Sequence, residues 1–126
     1  RVAFLGMVTG PAKVSLYQAS DLVVLPTSQE NFGFVVFEAL ASGKPLITTP
    51  GVDTWPEVEA SGGGLIVAQD PAKIADAIAS LLADPGRRAA MGDSGRAWAL
   101  RELDPARVVQ RFVDMYADAV KGEKAT

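Results

Sequence analysis

Four short runs of near-continuous apolar character divide the first half of this 126-residue chain and constrain its fold more than any other feature. They are Val2-Ala3-Phe4-Leu5, Leu22-Val23-Val24-Leu25, Leu46-Ile47-Thr48 and Leu65-Ile66-Val67. An antiparallel strand with one wet face alternates apolar and polar residues; a strand covered on both faces does not. The runs therefore read as parallel strands, ended or introduced by Gly6, Pro26, Pro45 and Gly62-Gly63-Gly64. Between them lie helical stretches at Lys13–Ser20, Phe34–Ser42 and Thr54–Ala60. After the fourth run the pattern is helical throughout. One helix opens at Pro71 behind Asp70 and runs to Ala83, and Gly86–Leu103 and Asp104–Val120 follow. Asp-Pro is a helix-start signal, because the aspartate caps free amides and proline suits the first turn. The expectation is an α/β fold of about four parallel strands with flanking and C-terminal helices. Residues 1–120 form one unit and 121–126 a polar tail.

Composition removes whole classes of function. The chain has no histidine and no cysteine, so it carries no Ser-His-Asp or Cys-His machinery, thiolate or imidazole metal site, or disulfide. No metal-ligand pattern is evident, and Asp53, Glu57 and Glu59 show no repeated spacing. A net charge of −3 offers no footprint for nucleic acid. No apolar run approaches the roughly 18 residues that cross a bilayer. The missing cysteines fit a reducing compartment, so a cytoplasmic location is expected. The chain starts on a strand-like run without Met, which reads as a segment of something longer.

In parallel sheets, ligands bind outside the carboxyl ends of the strands. Two nucleotide signatures fail there. Gly62-Gly63-Gly64 precedes a strand where a dinucleotide fingerprint would open a helix, and Gly43-Lys44 lacks the P-loop glycine at position 38. The informative stretch runs from Pro26 through Glu30-Asn31-Phe32-Gly33 into the apolar helix Phe34–Leu40. Gly33 lets a ligand approach the backbone, and the free N–H groups of Phe32, Gly33 and Phe34 suit a phosphate or sugar oxygen. Glu38 is the anomaly, a carboxylate among Phe34, Val35, Val36, Phe37, Ala39 and Leu40. It lies roughly 7–8 Å along the helix from its start, the span from a phosphate to a ribose diol. The other reading places Glu38 on a solvent-facing polar stripe. A hydrolase using Glu30 and Glu38 is disfavoured, since eight helical residues set them roughly 12 Å apart, beyond glycosidase separations. Thr48-Thr49 either borders such a site or forms a hydroxyl-rich turn. Trp55 reads as a packing residue, and Arg96 and Trp98 as packing or domain contacts.

Glu30–Glu38 resembles the E-x7-E signature of the retaining glycosyltransferases of the GT-B class, family 4 or group 1. The likeness extends to Val2–Met7, to Leu16-Tyr17-Gln18-Ala19-Ser20-Asp21, to Leu25-Pro26-Thr27-Ser28, to Glu38-Ala39-Leu40-Ala41-Ser42-Gly43-Lys44-Pro45 and to Gly64-Leu65-Ile66-Val67. The resemblance implies the later part of a C-terminal, Rossmann-like nucleotide-sugar-binding domain, with an acceptor domain elsewhere. It implies a nucleotide-sugar donor, hexosyl transfer with retained configuration and no cofactor. Glu38 would take the ribose hydroxyls and Glu30, as the catalytic glutamate, the donor-sugar hydroxyls. Asn31, Phe32, Gly33 and Phe34 would hold the sugar and diphosphate, and Met7 and Val8 would lie against the base. The segment that would neutralise the leaving diphosphate is not among these residues, so the chain alone is expected to be inactive. A nucleotide-sugar epimerase or a non-catalytic nucleotide-binding fragment is the alternative. The family's strand order places Val2–Leu5 two strands from Leu22–Leu25. The expected repair is direct pairing of these two runs or pairing between chains. An apolar stripe of Val108, Val109, Phe112, Val113, Tyr116, Ala117 and Val120 on the last helix is expected to lie open or to meet a second copy.

Overall fold

The computed structural model describes residues 1–122. Three strands, β1 (Val23–Leu25), β2 (Leu46–Thr48) and β3 (Gly64–Ile66), form a parallel sheet in the order β1-β2-β3. Val23 pairs with Leu46, and Leu46 in turn with Gly64. Six helices surround them: α1 (Gly10–Ala19), α2 (Phe34–Ala41), α3 (Trp55–Ser61), α4 (Pro71–Ala83), α5 (Pro85–Glu102) and α6 (Pro105–Lys121).

All three β2 residues are buried, as a strand covered on both faces requires. Leu46 joins the cluster built with Val36, Phe37, Ala39 and Leu40 of α2. Alternation turns Ile47, also fully buried, to the opposite face, where α4 packs against β2. α5 closes the α2 side through Ala99 and the stack of Trp98 on Phe37 at 6.4 Å. The two expected Asp-Pro starts, at Asp70 and Asp104, are capped, and Asp84-Pro85 adds a third. Asp70, Asp84 and Asp104 accept from the amides of Lys73, Arg87 and Arg107 at 2.8–3.0 Å. The Asp84-Pro85 pair starts α5 one residue before the expected Gly86.

The fourth strand is a correction. Val2–Leu5 forms no strand and pairs neither with Leu22–Leu25 nor with any other described residue, and Phe4 is 97% exposed. A crossover strand is held in place by its helix packing onto the sheet. Here α1 buries no residue completely and meets the core through the partly buried Tyr17, a weak anchor for the run beside β1.

The stripe on α6 is open, with Val109, Phe112, Val113, Tyr116 and Val120 all exposed. Polar contacts tie this helix to the end of α5, where Arg107 and Arg111 pair with Glu102. Of the expected tail, Lys121 ends α6 and Gly122 caps it; 123–126 lie outside the described residues. Among the described residues no helix is long and apolar enough to cross a membrane.

Candidate functional site

The loops after β1 and β2 lie side by side at the carboxyl end of the sheet. Their contact is made by backbone and buried threonines. Glu30 N–H donates to Gly51 O, and Asp53 N–H donates to Glu30 O, each at 2.9 Å. Thr48 Oγ1 donates to Leu25 O at 3.0 Å, Thr49 Oγ1 to Thr27 O, and Thr54 Oγ1 to Phe32 O at 2.9 Å. Thr48 and Thr49 thus form a hydroxyl-rich brace for the Glu30 loop. The segment Thr48–Thr54 positions Glu30, a role the sequence did not reveal.

Gly33 turns the chain from this loop into α2 with φ +65, a conformation that an L side chain rarely adopts. A Cβ there would also lie 3.2 Å from both Glu30 Cγ and Val52 Cγ2. The stem of Glu30 therefore covers the start of α2. No side chain caps that helix. Val36 N–H donates to Gly33 O at 2.8 Å, and the amides of Phe34 and Val35 before it, at the positive end of the helix dipole, have no side-chain cap and suit an oxygen ligand. Phe32 packs its ring 4.8 Å from Phe37 and 5.0 Å from Phe34, which fixes the loop just before the turn. Asn31, Phe32 and Phe34 are exposed around the buried Gly33. Glu30 and Asn31–Phe34 are thus brought together at one helix start.

Glu38 lies just over one turn into α2 and is neither isolated in the core nor free in solvent. Lys13 Nζ donates to its Oε1 at 2.6 Å, and Tyr17 OH donates to its Oε2 at 3.0 Å. Both partners come from α1, four residues apart on one face. The Lys13 ammonium holds the Glu38 carboxyl below the usual carboxylate range, against an opposing effect of partial burial. Burial and then the neighbouring carboxylate push the Tyr17 phenol up to about 12. A cleft of about 300 Å³ opens at this pair, between Lys13, Tyr17 and Gln18 on one side and Glu38, Ser42 and Arg96 on the other. Arg96 donates to the Ala41 carbonyl at the rim of this cleft. Trp55, expected to pack, starts α3 and is 38% exposed. Met7 and Val8 lie in the irregular segment before α1, with Met7 exposed.

A family model described as glycosyl transferases group 1 matches residues 1–98. The chain is similar to a D-inositol 3-phosphate glycosyltransferase of Salinispora tropica. The two are 38% identical over 122 residues, covering 95% of this chain and 25% of the relative. It is also similar to the solved sucrose-phosphate synthase of Thermosynechococcus elongatus. That match has a TM-score of 0.69 and 31% identity over 81% of this chain and 27% of that one. A solved C-terminal domain of a glycosyl transferase group 1 family protein from Francisella tularensis matches with a TM-score of 0.69 and 28% identity. It covers 79% of this chain and 52% of that domain's chain. The chain spans about a quarter of the length of this curated relative. Its parallel sheet and flanking helices are those of GT-B glycosyltransferase domains. On the family match across most of its length, the chain belongs to the group 1 glycosyl transferases.

Proposed function

We propose that residues 1–120 are the later part of the donor-binding domain of a retaining, nucleotide-sugar-dependent glycosyltransferase. The observation that carries this reading is the uncapped, glycine-turned start of α2 with one glutamate on either side of it. In this reading the diphosphate and sugar lie against the amides of Asn31–Phe34. The vicinal ribose hydroxyls donate to Glu38, and Glu30 accepts from the donor-sugar hydroxyls. Met7 and Val8 lie against the base. The hexosyl group passes to an acceptor hydroxyl with its anomeric configuration retained. The name of the Salinispora relative makes a polyol phosphate the first acceptor class to assay. The chain by itself is proposed not to turn over, since it spans about a quarter of the Salinispora relative. The absence of cysteine fits a cytoplasmic site of action.

The test is turnover of nucleotide-sugars by the intact protein with polyol phosphate acceptors, followed by NMR of the product anomeric proton. An anomer matching that of the donor supports the reading. An inverted product, or epimerised nucleotide-sugar without transfer, contradicts it.

The chain is also proposed to self-associate through the open α6 stripe. An exposed row of this size favours burial against a second copy. Sedimentation velocity of the 126-residue chain should show a concentration-dependent dimer, and Phe112→Glu with Val113→Glu should return it to monomer. A monomeric chain at high concentration would contradict this.

A further inference from the structure

α1 has no completely buried residue, yet two of its side chains converge on a single carboxylate. A carboxylate has roughly four lone-pair positions, two on each oxygen. Lys13 occupies one on Oε1 and Tyr17 one on Oε2, which leaves one on each oxygen. Two acceptor positions on separate oxygens of one planar group are what a vicinal diol needs for paired hydrogen bonds. The two donors also fix the carboxylate plane, which a half-buried glutamate on a helix surface would otherwise rotate freely. Both contacts reach across from α1, so the plane is set by Lys13 and Tyr17 themselves.

We propose that Lys13 and Tyr17 are positioning residues that orient Glu38 for a ribose diol without themselves touching the nucleotide. The inference rests on the proposed role of Glu38 and adds the device that prepares it. The ammonium also keeps the carboxyl ionised, and the lowered titration of Glu38 agrees with that. Lys13 and Glu38 are 39% and 34% exposed at their side chains, so replacing Lys13 by a group of similar length leaves the fold intact. Tyr17→Phe keeps the ring that packs against the core.

The test is a set of double-mutant cycles in the intact protein. Uridine, guanosine and adenosine diphosphates serve as probes beside their 2′,3′-dideoxy counterparts. Lys13→Met and Tyr17→Phe should each weaken the preferred ribonucleotide by about three- to tenfold, and Lys13→Arg should restore most of the loss. The dideoxy probe should bind all variants alike. In a Glu38→Gln background neither substitution should have an effect, because the group through which they act is gone. The NMR signal of the Glu38 carboxyl carbon should titrate at higher pH in Lys13→Met than in the parent, a change that loss of packing would not produce. An equal loss in the Glu38→Gln background would overturn the proposal, since Lys13 or Tyr17 would then touch the ligand. So would full affinity in both single variants while Glu38→Gln binds weakly. Unchanged binding by Glu38→Gln itself is a separate outcome that removes the ribose reading and this inference with it.

Discussion

Gly92→Ala should destabilise the fold by about 2 kcal/mol, although alanine is the better helix former by about 1 kcal/mol. Gly92 is buried on the face of α5 that meets the turn after α2. A Cβ there runs into the carbonyl oxygen of Gly43, which is backbone and cannot rotate aside. One turn further along, a Cβ on Gly95 would lie 3.0 Å from the Cα of Gly63 and 2.8 Å from Leu40 Cδ2. The helix thus sits directly on the two turns that lead into β2 and β3, and relief of either overlap lifts it from the core. Gly86→Ala, at the exposed start of the same helix, meets nothing closer than an ordinary contact at 3.5 Å and should leave stability unchanged or raise it. Urea unfolding of the two variants should therefore move the midpoint in opposite directions, or leave Gly86→Ala in place. Equal behaviour of both would mean that α5 does not pack as described.

Glu38→Gln should weaken nucleoside diphosphate binding by about 1.5–3 kcal/mol, which is about 10- to 150-fold. Glutamine keeps the length and planarity of the side chain but loses the charge and turns one acceptor into a donor. A diol that donates twice then meets one acceptor where it had two. The loss arises in binding and not in folding, because the Lys13 pair is half-exposed and such pairs add roughly 0–1 kcal/mol to stability. Calorimetric titration measures the affinity, and a melting curve confirms that the fold is retained.

Acid should weaken the Glu38 contacts only below the ordinary carboxylate range. The carboxyl titrates lower when folded than when free, so the pair contributes above the free value and is lost as pH falls through the folded one.

Much of this architecture is legible in the chain because the signals are local. β2 is a nearly continuous apolar run that follows Pro45, and burial on both faces fits it. Asp70 and Asp104 mark helix starts by the chemistry of their own side chains, and Asp84 does the same just before the start read at Gly86. Val2–Leu5 carries the same local signal and yet forms no strand. Pairing belongs to two segments at once, and the run itself holds no information on which edge receives it. Glu38 stood out in the sequence as a carboxylate among apolar neighbours. Its partners did not, since Lys13 and Tyr17 lie 25 and 21 residues away and meet it only through the docking of α1. Their spacing of four on one helix face was the available hint. Thr48 and Thr49 were ambiguous because a hydroxyl can serve a ligand or a carbonyl equally well. The structure gives them to the carbonyls of Leu25 and Thr27.

The central claim is that Glu38 reads the ribose of a nucleotide-sugar donor. It is tested most directly by the affinities of one nucleoside diphosphate and its 2′,3′-dideoxy counterpart for the intact protein and for Glu38→Gln. The parent should prefer the ribonucleotide by about tenfold or more, and the variant should bind the two nearly alike, with the dideoxy affinity little changed. A Glu38→Gln protein that keeps the full preference for the ribonucleotide would contradict the account.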